Sequence, residues 1–434
     1  MKIVWICHFS NSFVREKLNL SASMSLLERF VRKILNRPLI ASSDFAQWIS
    51  NGIQEFENIY EHELHVISPH YGMNDRIVSF ENKGVHYYFF RPDDQSIIGK
   101  IKRKLSARKM MHIGNRKNIK RFIRKIKPDI IHMYGAENPY YSISGLDIDI
   151  KTHPFLVTLQ TVMSDKEFKV NYPIDNKEYA LRVNIENRVL KRASYIGSEL
   201  EKYRSIIRNY VNSNAIFTHS FLFLSQEVHI LNVHKQFDFV YFAGGINKAA
   251  DLAVEAFALA AQKKPEITLN IVGDTPEPFT SNLKTRIKEL NIEDKIAFSG
   301  KLATHEDVIR QIQLSKYALL PLKIDIISGT IREAMFCGLP VVTTITPGGT
   351  PTLNENRISV LLSEKEDVSS IGENMIRLIE EPGLAKQLKA NALITVNEMW
   401  NNKRIMEKLL VAYQHIIRHH ATGVPIPEVV TSIN

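Results

Sequence analysis

Cysteine is scarce: Cys7 and Cys337 are the only two in 434 residues. A pair so widely spaced excludes a disulfide framework and fits a reducing cytosol, where both thiols are expected to be buried structural side chains. Long apolar runs are missing too, and without roughly 18 consecutive apolar residues no helix spans a bilayer. The opening run Met1–Cys7 gives way at once to His8, Ser10 and Asn11. It lacks the long apolar region and cleavage site of a secretion signal and reads as a first buried strand. Histidines occur without metal-ligand spacing: His62, His65, His70, His153 and His234 are scattered, and His419 and His420 fall on a terminal helix. No metal site and no cofactor is expected. Acidic residues are absent from 95–128, where thirteen lysines and arginines exceed the whole net charge of +10.

What is present describes two domains. One core usually serves about 100–200 residues, so a chain of 434 is expected to form two domains with a cleft between them. Short β-branched or aromatic runs alternate with helical patterns, which predicts parallel sheets with crossover helices. In the first half, strands are predicted over 3–7, 64–68, 85–90, 130–134 and 155–159, and helices over 21–35 and 44–60. In the second half, strands are predicted over 237–242, 267–272, 296–299, 317–320 and 341–343, and helices over 249–263, 283–290 and 330–337. The polar stretch Asn212-Ser213-Asn214 marks a linker. The expected organisation is α/β: a Rossmann-like domain over 1–215, a second over 216–396, and a helix over 397–420 that returns to the first.

Ile119, Phe122, Ile123 and Ile126 repeat at i, i+3, i+4, i+7 with Lys120, Arg121, Arg124 and Lys125 opposite. The pattern predicts an amphipathic helix. Two readings stand: a crossover helix with a solvated basic face, or a face that residues 100–127 offer to an anionic membrane or a phosphorylated acceptor.

The residues that carry chemistry lie in the second half. Ser328-Gly329-Thr330 leads into Ile331-Arg332-Glu333-Ala334-Met335-Phe336-Cys337-Gly338-Leu339-Pro340. Ser328 or Thr330 can cap this helix, Gly329 lets a ligand approach the backbone, and Gly338 with Pro340 ends it. Free amides at such a helix start suit a diphosphate. Glu333, one turn in, can accept hydrogen bonds from neutral sugar hydroxyls, and Asp325 stands eight positions earlier.

This stretch resembles glycosyltransferase family 4 (group 1), enzymes of the two-Rossmann-domain GT-B fold found in bacterial polysaccharide biosynthesis. The family hallmark is an acid, seven residues, then a Glu on a helix reading E-A-M-x-x-G-x-P-V-V. The resemblance implies that Glu333 binds the nucleotide ribose and Asp325 lies at the transferred sugar, with Asp standing where the family usually has Glu. A second segment, Phe242 to Phe257, is similar to the family's Gly-Arg loop and Lys-Gly-x-Asp. It implies donor-phosphate contacts from Gly244, Gly245 and Lys248, with Gly245 in place of the family's Arg. Arg332 is a candidate to replace that cation. Gly273, Ser299 and Gly300 fall in family-like loops on the donor side, and the turn Gly348-Gly349-Thr350-Pro351 with Glu355 also looks familial.

In the first half, Pro128-Asp129-Ile130-Ile131-His132 resembles the family's P-D-h-h-H strand. The resemblance implies acceptor-side roles for His132, Tyr134, Glu137 and Asn138. It further implies a retaining glycosyltransferase, working without metal, that moves a sugar from a nucleotide diphosphate sugar to a saccharide or lipid-linked acceptor in capsule, exopolysaccharide or lipopolysaccharide synthesis. Two alternatives are carried: a nucleotide-sugar epimerase of the same fold, and a basic membrane- or nucleic-acid-binding protein. Against nucleic acid, the basic segment lacks interleaved aromatics beyond Phe122. The expected location is cytoplasmic, peripheral to the inner face of the membrane.

Overall fold

A computed structural model describes residues 1–18, 20, 44–57, 59, 61–93, 111–165, 175–224, 228–242, 249–273, 279–323, 327–346 and 349–431. The helix expected over 21–35 lies outside them. The chain forms two compact units, one of Met1–Lys169, Ile174–Phe223 and Asn402–Asn434, the other containing Leu224–Asn401.

The first unit is built on a sheet of β1 (Lys2–Ile6), β2 (Glu63–Pro69), β3 (Ile77–Asn82), β4 (Val85–Phe90), β5 (Ile130–Tyr134), β6 (Phe155–Thr158), β7 (Tyr195–Gly197) and β8 (Ile216–Thr218). Its order is β3-β4-β2-β1-β5-β6-β7-β8. All pairings are parallel except that of β3 with β4. Strand β1 shows why. Its residues are apolar on both faces, as a strand covered on both sides requires: Ile3 and Trp5 enter one core, Val4 and Ile6 the other. The helix Ile113–Ile126 covers the second core with Ile119, Phe122, Ile123 and Ile126, leaving Lys120, Arg121, Arg124 and Lys125 exposed. The terminal helix Asn402–Thr422 completes the first core with Met406, Leu409, Ala412, Tyr413 and Ile416. Strand β8 lies beyond residue 215 and pairs with β7, so the first unit runs to Phe223 rather than ending at the Asn212–Asn214 stretch.

The second unit holds a wholly parallel sheet of β9 (Phe237–Phe242), β10 (Leu269–Val272), β11 (Ile296–Gly300), β12 (Ser315–Leu320), β13 (Val341–Thr344) and β14 (Leu361–Ser363). Its order is β11-β10-β9-β12-β13-β14. Ala250–Lys263 packs seven alanine and phenylalanine side chains, including Ala253 and Phe257, against one face. Gly329–Phe336 covers the other with Ile331, Ala334, Met335 and Phe336. Cys7 and Cys337 are both buried and unpaired.

Candidate functional site

In an open parallel sheet, ligands bind at the carboxyl ends of the strands where successive connections diverge to opposite sides. In the second unit that point lies between β9 and β12. Two chain segments expected to carry chemistry leave from it. Gly244, Gly245 and Lys248 follow β9, and Asp325 follows β12; all four lie outside the described residues. Their flanks are described. Lys323, just past β12, pairs with Asp251 in the first turn of Ala250–Lys263 and ties the two strand ends together. Sequence reading missed Lys323. Its signal was present, a cation two positions before Asp325, but only the adjacency of β9 and β12 makes it meaningful.

Gly329–Phe336 starts at the same end. Ser328 caps it, accepting from the Thr330 amide at 3.3 Å, and its hydroxyl also meets Thr330 Oγ1 at 2.7 Å. The carboxylate of Glu333, one turn into the helix, is half-buried, with His305 Nε2 at 3.7 Å. Arg332 donates to the Ile327 carbonyl at 2.9 Å and lies over the Trp400 ring at 5.4 Å. A Cβ on Gly329 would stand 3.6 Å from Arg332 Nη2 and 4.0 Å from Glu333 Oε1. The helix start thus lies beside a cation and an anion, groups of the kinds that pair with a phosphate and with sugar hydroxyls.

Gly273 and Gly300 end β10 and β11, and the Gly273 amide donates to the Gly300 carbonyl at 2.9 Å. Their φ values of 115° and 65° lie where other residues are strained. Ser299 is already engaged: its hydroxyl donates to Asn270 Oδ1 at 2.8 Å and accepts from Gln311 Nε2 at 3.1 Å. Beside it Phe298 is exposed, with Lys284 5.4 Å from its ring centre. At the end of β13, Thr350 is hydrogen-bonded to Thr346 and to the Thr344 carbonyl, and Glu355 beyond it is exposed.

In the first unit the corresponding point lies between β1 and β5. The structure corrects two of the four acceptor-side expectations. His132 is fully buried, its Nδ1 2.6 Å from Tyr413 Oη and its Nε2 2.7 Å from Thr158 Oγ1, so neither nitrogen is left for a ligand. Burial also holds it well below the ordinary histidine range. Tyr134 packs in the core between Trp5 and Trp48. Their place in the sheet explains both: they sit within β5, whose every residue is covered.

Glu137 and Asn138, past the strand end, are half-buried and hydrogen-bonded to each other at 2.9 Å. Burial pushes the Glu137 carboxyl up to about 7. Gly135 makes room for it: φ is 84°, and a Cβ there would come within 2.7 Å of both Glu137 oxygens. Behind it Glu186 is fully buried, accepts from the Met163 amide, and is pushed up to about 8 by burial and, less strongly, by Glu137.

An aromatic group surrounds His8 at the end of β1. Its ring lies 4.3 Å from Phe45, 4.9 Å from Tyr140 and 6.4 Å from Tyr71, and Tyr140 Oη bonds to His8 Nδ1. Phe45 and Tyr71 are exposed. Burial and the nearby His70 lower His8 to about 3, so its ring is neutral. The four are scattered over 8–140 and no local pattern joins them.

Residues 229–394 match the family described as glycosyl transferases group 1. Mannosylfructose-phosphate synthase of Agrobacterium fabrum is 29% identical over 163 residues, covering 34% of this chain and 35% of that protein. The match thus spans about a third of that curated relative. Among solved structures, sucrose-phosphate synthase of Thermosynechococcus elongatus covers 95% of this chain and 98% of its own, with TM-score 0.65 and 15% identity. HepE of Anabaena, in complex with UDP and glucose, covers 95% and 99%, with TM-score 0.62 and 15% identity. At such identities the likeness is one of fold, the GT-B architecture of two Rossmann-like domains.

Proposed function

We propose that this chain, which carries a group 1 glycosyl transferase domain over residues 229–394 on the GT-B fold, transfers a sugar from a nucleotide diphosphate sugar to a saccharide or lipid-linked acceptor. The observation that carries this reading is the switch point of the second sheet, where the Lys323–Asp251 pair joins two strand ends and the capped start of Gly329–Phe336 presents Glu333. Helix amides and Lys323 take the diphosphate, aided by Gly244, Gly245 and Lys248, and Glu333 accepts from the ribose hydroxyls. Asp325 serves the transferred sugar. HepE was solved with UDP, which supports uridine donors as the first to test.

The acceptor is assigned to the carboxyl end of the first sheet, with Glu137 and Asn138 as hydrogen-bonding groups. Transfer retains anomeric configuration without a metal. The bond from C1 to the departing phosphate breaks as the acceptor oxygen bonds C1 on the same face, and a phosphate oxygen takes the acceptor proton. The role belongs to bacterial surface-polysaccharide synthesis at the cytoplasmic face, with the exposed cations of 111–127 against an anionic membrane.

Thermal stabilisation by a panel of nucleotide diphosphates and their sugars tests the reading, since specific binding raises the melting temperature by mass action. One nucleotide should stabilise the protein and lose that effect in Glu333→Ala. No stabilisation by any of them, with the fold intact, overturns it; an inverted product overturns retention alone.

A further inference from the structure

The amino end of the first sheet, opposite the strand ends just described, gathers three side chains that the sequence keeps apart. Parallel pairing of β2 with β4 sets His65 directly against His86. Their rings stack at 4.6 Å with an interplanar angle of 13°. Glu63, two residues before His65 on the same face, completes a group whose ligand atoms all lie within 4.8 Å of one another.

Three features distinguish this group from a chance surface cluster. His65 is 6% exposed, and its Nε2 forms no well-aligned hydrogen bond among the described residues, only a longer contact to the Glu63 carboxylate. That Nε2 lies 3.4 Å from Glu63 Oε2. Two ligands about 2.0–2.1 Å from a tetrahedral zinc ion stand about 3.3 Å apart, so this pair already has the required spacing. Each imidazole is also held from its other side. Tyr88 Oη lies 3.4 Å from His65 Nδ1, and Glu81 Oε2 lies 3.3 Å from His86 Nδ1, the kind of outer contact that orients metal-binding histidines. Lys2 Nζ, 3.7 Å from Glu63, is the cation that an ion would displace.

We propose that Glu63, His65 and His86 form a binding site for a divalent first-row transition ion, with zinc as the best fit to two imidazoles and one carboxylate. The site joins β2 to β4 at the end of the sheet remote from the proposed transfer chemistry. Its role is to clamp the first unit, independent of the glycosyltransferase reading.

Zinc titration of the full chain against a chromophoric chelator, with melting temperatures taken in parallel, tests this. Glu63 and His86 are partly exposed, so Glu63→Gln and His86→Gln should fold. One zinc should bind per chain and raise the melting temperature, and each substitution should weaken binding at least about tenfold and abolish the rise. His420→Ala, on the exposed end of the terminal helix, should leave both unchanged. Absence of stoichiometric binding overturns the proposal. So does an affinity in both substituted proteins equal to that of the unsubstituted chain, which would place the ion elsewhere.

Discussion

Replacing Glu186 with glutamine should stabilise the first unit, and by an amount that grows with pH. Glu186 is fully buried, its oxygens 2.9 and 3.2 Å from the Met163 amide. Glutamine has the same shape, keeps a carbonyl for that amide and carries no charge. Burial raises the carboxyl from 4.5 to about 8. The folded state therefore holds a proton that the unfolded chain releases above 4.5, and stability falls as pH rises through that window, then levels off beyond about 8. The interval of about 3.5 decades, at 1.36 kcal/mol each, amounts to about 5 kcal/mol. Buried histidines such as His8 and His70, whose values are lowered, titrate with the opposite slope. Only the difference between the two proteins isolates Glu186. Urea unfolding of both at pH 5, 6, 7 and 8 should show that difference near its minimum at about pH 5 and larger by several kcal/mol at about pH 8. A difference that stays constant with pH would refute the assignment of a buried, protonated carboxyl.

Glu333→Gln should weaken the stabilising nucleotide about tenfold to a hundredfold, the cost of about 1.5–3 kcal/mol for a hydrogen bond to a charged group, measured by calorimetric titration. Lys323→Met should weaken a nucleoside diphosphate more than the matching nucleoside, because the ammonium beside Asp251 acts on the phosphates; equal losses would remove it from the donor site. Gly135→Ala, which drives a methyl group within 2.7 Å of the Glu137 oxygens, should lower transfer while leaving donor affinity intact, as read by kcat and binding separately. Tyr413→Phe removes the hydroxyl that meets Trp5 Nε1 at 2.9 Å and His132 Nδ1 at 2.6 Å. Leaving two buried groups without a partner costs about 1–3 kcal/mol each, so thermal unfolding should shift down by about 2–4 °C per kcal/mol.

The strands that period and composition make legible are those with long apolar or aromatic runs. Val85–Phe90, Ile130–Tyr134 and Phe237–Phe242 are found where they were expected. Short strands were missed because three residues cannot show a period: Tyr195–Gly197, Ile216–Thr218 and Leu361–Ser363 each gain their identity from the neighbour they pair with. The omission of Ile216–Thr218 moved the expected domain boundary to 215. Ile77–Asn82 was missed for a different reason. It is an antiparallel edge strand whose polar residues alternate with partly covered ones, and it lacks the apolar continuity of its neighbours.

The candidate site divides along the same line. Gly329, Thr330 and Glu333 are adjacent in sequence, so one helix start delivers them together. His132 misled because a motif gives a residue's position on a strand and not the depth to which its neighbours cover it; Thr158 and Tyr413, which take its two nitrogens, come from remote segments. Register was equally hidden. A shift of one residue between β2 and β4 would turn His65 and His86 to opposite faces of the sheet, and nothing local to either histidine fixes that register. What fixes it is burial elsewhere on the same strands. Leu64 and Val66 of β2 and Val85, Tyr87 and Phe89 of β4 must all enter one core, and once they do, the alternate residues His65 and His86 are brought together on the other face.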